Sequence, residues 1–430
     1  MTTQREELKL RPLLHTGPKF YLWIFVLLGM TVAFAYAWIT QMSNGLVVTG
    51  LRDYGLPLSG SPWGLYISTF IWFVGIAHGG IAISAGIRIM KLVKYRSIAR
   101  MAELLTLVCL LMAGLMVVVD LGRPDRIVNL IRYWPERIGQ SPLTWDFTVI
   151  LLYFVFSATY LFLTMRKDLA RIVNRFPGRR IFYRPLLVGY SSDEHPKVDR
   201  IAWWVAISLL ILLILLSGGV VPWLFGLVSS QSGWFGGIQG PYFLVAALAS
   251  SIAAVILIAA LLRRIFRWEE LIPVDIFRKL GGVLAILTLL YLWFILHEHI
   301  TAQFAAPAAE GDVSSSLLSG RFAPLFWVMF GGLAVAFHYL AAQAIWQRAF
   351  RLRWVVGAAV VIVVGLWVKR VLIVVSSLLL PSFGLYPEGD YAPTWVEWLL
   401  VIGAVTIAAL MYTAFTKIYP IMELEEETES

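Results

Sequence analysis

The sequence is poor in charge and almost without cysteine. Only 14% of its 430 residues are Asp, Glu, Lys or Arg, while 59% are apolar. A water-soluble domain carries nearly twice that charge, so a soluble multidomain enzyme is excluded. The single cysteine, Cys109, stands inside an apolar run. One cysteine cannot close an intrachain disulfide or hold an iron–sulfur cluster. No C-x-x-C, H-E-x-x-H, G-x-x-x-x-G-K or G-x-G-x-x-G pattern occurs, and no metal site is expected. A formal charge of +9 could suggest nucleic acid, but its distribution fits membrane topology instead and no nucleic-acid partner is expected.

What is abundant is apolar length. Ten runs reach the ~20 residues needed to cross a bilayer. They lie near 20–42, 63–90, 101–120, 143–165, 201–224, 241–262, 278–297, 322–346, 354–380 and 395–417. The expected fold is all-α, a polytopic transmembrane protein of about ten helices. The first run is too long for a signal h-region and reads as helix 1, not a cleaved leader. Eighteen Trp and 17 Tyr suit aromatic belts at both membrane interfaces.

Ten spans put both termini on one side. The termini and the loops after helices 2, 4, 6 and 8 carry 27 of the 35 Lys and Arg; the opposite loops carry six. Excess Lys and Arg marks the cytoplasmic side, which places both termini there and the protein in the plasma membrane. Four of the six outer cations share one loop: Arg123, Arg126, Arg132 and Arg137. The basic inner loop, about 166–200, reads as an anchor to anionic lipid.

That inner loop also divides the chain in two. Pro142-Leu143-Thr144-Trp145 opens helix 4 and Pro324-Leu325-Phe326-Trp327 opens helix 8; Ser61-Pro62 precedes helix 2 and Gly240-Pro241 helix 6. Arg100 stands 20 residues before Asp120, and Arg278 stands 20 before Glu298. These matches predict a parallel repeat of two four-helix bundles, 63–224 and 225–380. Residues 1–62 and 381–430 add peripheral helices 1 and 10 and an acidic cytoplasmic tail.

Ionisable residues at membrane depth cost about 2.5–3.5 kcal/mol each and call for a reason. His78 lies mid-helix 2, beside a stripe formed by Gly75, Gly79, Ala82 and Gly86 that lets another helix approach. It is a hydrogen-bond partner for a quinone, a proton carrier, a haem ligand or a histidine satisfied by a nearby carbonyl. Asp120 ends helix 3 in Asp120-Leu121-Gly122-Arg123-Pro124, and Asp146 follows Ser141-Pro142 at the outer end of helix 4. Asp120, Arg123, Trp145 and Asp146 share one depth, an arrangement suited to proton-coupled chemistry, although a local Asp120–Arg123 bridge would also account for the turn. Lys369 and Arg370 sit near the centre of helix 9, about four turns from either end, and need a buried polar network. His297, Glu298, His299 and Glu397 stand at outer helix ends, where solvation is the expected state; His338 in helix 8 is ambiguous.

These motifs resemble the NrfD/polysulfide-reductase membrane subunits. The resemblance runs through Gly45 to Gly50, Trp63 to Ile67, the His78 run, Ala102-Glu103, Asp120 to Arg126 and Ser141 to Asp146, then Glu298 to Thr301, Arg370 and Pro393 to Glu397. Ten helices and Trp145-Asp146 look nearest to the membrane subunits of alternative complex III. The resemblance implies a quinone-reactive anchor of a respiratory oxidoreductase, holding no haem, iron–sulfur cluster or metal of its own. It implies electron exchange between menaquinone or ubiquinone and an extracytoplasmic ferredoxin-like iron–sulfur subunit, with a molybdopterin-type or cytochrome subunit beyond. His78, Asp120 and Asp146 would be catalytic, with Arg123 and Trp145 at the quinone. Glu103, Lys369, Arg370 and Glu397 would form a polar path, open to proton translocation. Three rivals stand beside this reading: a b-type cytochrome with haem between His78 and His338, a secondary transporter, and a purely structural anchor.

Overall fold

The computed structural model describes residues 2–51, 61–191, 195–304, 307–346, 350–380 and 388–424; the acidic end of the chain, 425–430, lies outside them. Among the described residues, ten helices are long and apolar enough to cross a membrane. They are α1 (Pro18–Asn44), α2 (Leu65–Ile89), α3 (Arg96–Asp120), α4 (Pro142–Ile172) and α5, which begins as His195–Leu215 and continues to Gly226. Then follow α6 (Gln239–Phe266), α7 (Val274–Phe304), α8 (Ala323–Ile345), α9 (Leu352–Leu379) and α10 (Trp395–Ile418). Most run past the apolar stretches of the sequence: α4 continues to Ile172 and α7 starts at Val274. Backbone hydrogen bonding does not stop at the hydrocarbon boundary, so polar residues such as Arg166 and Asp275 extend the helices. The protein is a polytopic all-α membrane protein.

Around α2, the helices α3, α4 and α5 close a ring in chain order; α6, α7, α8 and α9 close a second ring. The rings meet through α2 against α6 and α9, and α10 packs on α1, α3 and α2. The centre therefore belongs to α2, 78% of whose apolar core window is buried, against 17% for α1. Small residues make this possible. A Cβ on Gly75 would sit 3.6 Å from Ala247 of α6, and one on Gly79 would collide with Ser251. On the adjacent face, a Cβ on Gly80 would come within 2.6 Å of the Ala102 carbonyl of α3. Backbones this close gain dispersion contacts that lipid cannot supply. The stripe is shorter than the sequence suggests, because a Cβ on Gly86 would meet no close neighbour among the described residues.

Two short helices fill what the sequence suggests are outer loops: Ile127–Arg137 and Ala308–Leu318. At the end of the bundle that holds the termini, Arg100 is buried against Asp168 at 2.8 Å and donates to the carbonyls of Pro420 and Met422, both at 3.0 Å. The basic inner segment spends part of its charge on protein: Arg175 pairs with Glu6 and Glu7, and Arg179 donates to the Leu13 carbonyl.

Candidate functional site

The interior of the first ring is shaped by a defect in α5. Pro222 has no N–H to offer the carbonyl of Gly218 four residues back, and its ring would crowd that carbonyl. The helix widens into a π-turn over Leu216–Val220 before resuming as Val221–Gly226. The released Gly218 carbonyl points at Gly240 of α6, where a Cβ would lie 2.6 Å away, so glycine is needed there. The same turn carries Ser217, whose hydroxyl is hydrogen-bonded to Nδ1 of His78. π-turns of this kind recur at functional sites.

His78 is fully buried. Its ring meets Tyr153 of α4 edge to face, with centroids 5.0 Å apart, and the Tyr153 hydroxyl donates to the His78 carbonyl at 3.3 Å. Nδ1 is thus engaged, while Nε2 has no partner among the described residues. Asp146 lies seven residues before Tyr153 on α4, two turns or about 10 Å toward the outer side and on the same face. It is 2% exposed, and neither carboxylate oxygen has a hydrogen-bond partner among the described residues. A buried carboxylate in this condition is rare, because the desolvation it suffers is normally offset by donors. Beside it, Trp145 donates to the Ile138 carbonyl and stands edge-on to Trp223 of α5 at 6.3 Å.

The other expected residues are placed elsewhere. Asp120 lies at the outer end of α3 near Tyr66, in a layer where the Tyr66 hydroxyl donates to Gln41 at 2.7 Å and Gln41 donates to the Val119 carbonyl at 2.7 Å. Tyr66 precedes His78 by twelve residues on α2, about 18 Å along the axis, so Asp120 does not share the pocket of His78. Arg123, expected at the quinone, stands apart from Asp120 and Asp146. Gly122 takes a left-handed φ of +63° and Pro124 follows, which turns Arg123 outward. Its guanidinium is 65% exposed and grips Asp125 through two bonds of 3.1 Å, holding that carboxyl below its usual range; it touches neither Asp120 nor Asp146.

The four residues expected to form a polar path fall into three clusters. Glu103 accepts from Ser84 and Thr164 and lines a cavity of about 160 Å³ with Arg88, Tyr160, Asp168 and Glu423. Glu397, expected to be solvated, is instead fully buried and saturated: it accepts from Gly50 N at 2.7 Å, Thr394 N at 3.0 Å and the Tyr391 hydroxyl at 2.6 Å. It closes a capping box on α10 and fastens the α1–α2 connection, so it is a joint between elements. Lys369 and Arg370 occupy the second ring. Lys369 pairs with Glu298 at 2.9 Å and faces the Tyr242 ring, which stacks on Tyr291 at 4.8 Å. Arg370 lies over Phe243 at 4.1 Å with its Nη1 unpartnered among the described residues.

Several polar residues escape sequence reasoning. His299 is buried and shares a 2.9 Å bond with Ser314 of Ala308–Leu318, and Glu310 of that helix accepts from Gly233 N at 2.7 Å. By position alone Glu298 reads as a solvated helix end; only the packing of α7 on α9 shows its partner. Ser217 is detectable in principle, since Ser-Gly-Gly before Val-Val-Pro is a weak place in a helix. His338 is exposed and bonds its own helix at the Ala334 carbonyl, so it cannot meet His78 across a haem. Among the described residues no three His, Cys, Asp or Glu side chains cluster as metal ligands would.

Residues 58–382 match the family described as Polysulphide reductase, NrfD. The chain is 27% identical over 419 residues to a putative dimethyl sulfoxide reductase membrane subunit of Halobacterium salinarum, covering 93% of this chain and 91% of that protein. It is 24% identical to a selenate reductase subunit of Mesobacillus selenatarsenatis, covering 90% and 91% of the two chains. It is 22% identical to the Hdr-like menaquinol oxidoreductase integral membrane subunit of Archaeoglobus fulgidus, covering 94% of each. With three-quarters of its length inside the match, this polytopic protein belongs to the Polysulphide reductase, NrfD family.

Proposed function

We propose that this protein is the quinone-reactive membrane subunit of a multisubunit oxidoreductase, with the head group received between α2, α4 and α5 beside Asp146 and His78. The observation that carries the reading is Asp146: a buried carboxylate with two oxygens unpartnered among the described residues, on the helix whose Tyr153 also packs against a buried histidine with an Nε2 likewise unpartnered. Oxidising a quinol releases two protons and two electrons. The carboxylate is a fit acceptor for one proton and neutral imidazole for the other. Ser217 fixes the imidazole by its Nδ1, and Tyr153 holds the ring against rotation. Reduction of a quinone uses the same groups in reverse. The electrons pass to or from an extracytoplasmic subunit, for which a ferredoxin-like iron–sulfur protein is the fitting type, with a molybdopterin-type or cytochrome subunit beyond. Relatives that carry reductase and menaquinol oxidoreductase names support this reading, as does the Lys and Arg bias, which favours cytoplasmic termini in a plasma-membrane protein.

In the same reading the two rings are a parallel repeat, and the second one, with Glu298, Lys369, Arg370 and Tyr242, is the polar half through which protons would be translocated. Asp120 serves the outer layer near Tyr66, and Glu103 the inner face.

The test is Asp146→Asn in the intact complex. Turnover with a water-soluble quinol analogue should fall about 100-fold or more, the usual scale for a lost general base. Activity of the extramembrane subunits with a dye that bypasses quinone should stay unchanged. Quinol turnover equal to that of the unaltered complex would remove Asp146 from the reaction and the reading with it.

A further inference from the structure

The helix Ile127–Arg137 has no role in the site and no buried residue, although it is followed directly by α4. It is two-sided. At 100° per residue, Val128, Ile131 and Ile138 fall on one half of the wheel and Arg132, Glu136 and Arg137 on the other. The three apolar residues are all exposed, Val128 at 62% and Ile131 at 60%. A helix standing free in water has no reason to keep such a face.

Its position says what covers that face. Trp134 donates to the Thr148 hydroxyl at 2.6 Å. Thr148 lies six residues into α4 from Pro142, about 9 Å below the helix start, so the connection is folded back beside the span instead of rising from it. On α4 itself Leu151, Leu152 and Val155, within two turns below Thr148, are exposed and apolar as well. Between Leu121 and Ser141 four arginines face only two acids, Asp125 and Glu136. Apolar residues beside Trp and Tyr, fringed by arginine, suit the boundary between acyl chains and phosphates.

We propose that Ile127–Arg137 lies in the plane of the outer leaflet, with Val128, Ile131 and Ile138 among the acyl chains and its arginines among the phosphates. It is a lipid-seated collar on α4 and leaves partner docking to other parts of the outer face.

The experiment uses the intact complex in lipid nanodiscs, with one cysteine introduced at Val128, Ile131, Arg132 or Glu136 and carrying a nitroxide. Cys109 is buried, so the unaltered complex supplies the labelling blank. Nitroxides at 128 and 131 should collide with dissolved oxygen severalfold more than with a water-soluble nickel chelate, and those at 132 and 136 should show the opposite preference. Labels at 128 and 131 that favour the nickel chelate would overturn the proposal, since the face would then be in water. Labels there shielded from both reagents would overturn it too, by showing a protein subunit on the face. Either reversal would leave the assignment of Asp146 untouched.

Discussion

Removing one partner of the Lys369–Glu298 pair should cost very different amounts depending on which partner goes. The pair stands at 2.9 Å, with the Lys369 side chain 0% exposed and that of Glu298 22% exposed. At that distance its gross attraction is ~6 kcal/mol at an effective dielectric constant near 20. Most of this only offsets the desolvation both ions suffered on burial. In Glu298→Gln the ammonium is left at full burial without a counter-charge, with the Tyr242 ring as its remaining partner. The expected loss is about 3–5 kcal/mol, the range for stranding a buried charge. In Lys369→Met the carboxylate is stranded instead, but it already reaches solvent. It can rehydrate, and the loss should stay near 1–2 kcal/mol, the scale of an imperfectly satisfied polar group. The double variant Glu298→Gln with Lys369→Met strands nothing and should lie within about 1 kcal/mol of the unaltered protein. With the double variant equal to the unaltered protein, the pairwise coupling in the cycle, the double loss minus the two single losses, is about 4–7 kcal/mol in magnitude, above the usual range for residues in contact. Denaturant-driven unfolding of the protein in mild detergent, followed through its tryptophans, would measure all four species. Equal losses from the two single variants, or a double variant as weak as their sum, would refute the reasoning.

Two further outcomes follow from the site's surroundings. Glu397→Ala leaves two backbone N–H groups and the Tyr391 hydroxyl buried without an acceptor, at about 1–3 kcal/mol each; thermal unfolding should show it among the most damaging single changes, well beyond Glu397→Gln, which keeps one acceptor oxygen. Burial lifts the Glu310 carboxyl above its ordinary value, more than its bond from Gly233 N lowers it. The folded state therefore binds this proton more tightly than the unfolded, so docking of Ala308–Leu318 strengthens as pH falls through the range just above the ordinary carboxylate value and weakens as pH rises. Amide exchange in that helix, corrected for its intrinsic rate, should be slower at pH 5 than at pH 7, and Glu310→Gln should abolish the difference.

Part of this protein is local and open to reading along the chain. A span is written as some twenty apolar residues in a row, and each of the ten helices overlaps the run that announces it, with ends that differ by up to seven residues. The errors at their ends have one source: hydropathy marks where lipid stops, and hydrogen bonding carries helices such as α4 and α7 farther. Ile127–Arg137 and Ala308–Leu318 escape such a reading because a short helix beside the membrane carries too little apolar length to stand out.

Burial of single polar groups is less readable. Glu298 and Glu397 look alike in sequence, each a carboxylate near the outer end of a helix. One is paired with a lysine from α9 and the other is closed by three donors from two segments of chain, the α1–α2 connection and the stretch leading into α10. Arg123 and Asp120, three residues apart, look in sequence as though they act together, but a single left-handed glycine sends them different ways.

The sequence alone determined that the chain lives in lipid, how many times it can cross and which motifs it carries, because each of these is a property of consecutive residues. Tertiary structure alone decided which polar side chains meet. It set His78 against Ser217 and Tyr153, left Asp146 without a donor among the described residues, and paired Arg123 with Asp125 at the surface. The physical reason is that a buried charge is satisfied by whatever packs opposite it, and that neighbour comes from another helix, often far away along the chain.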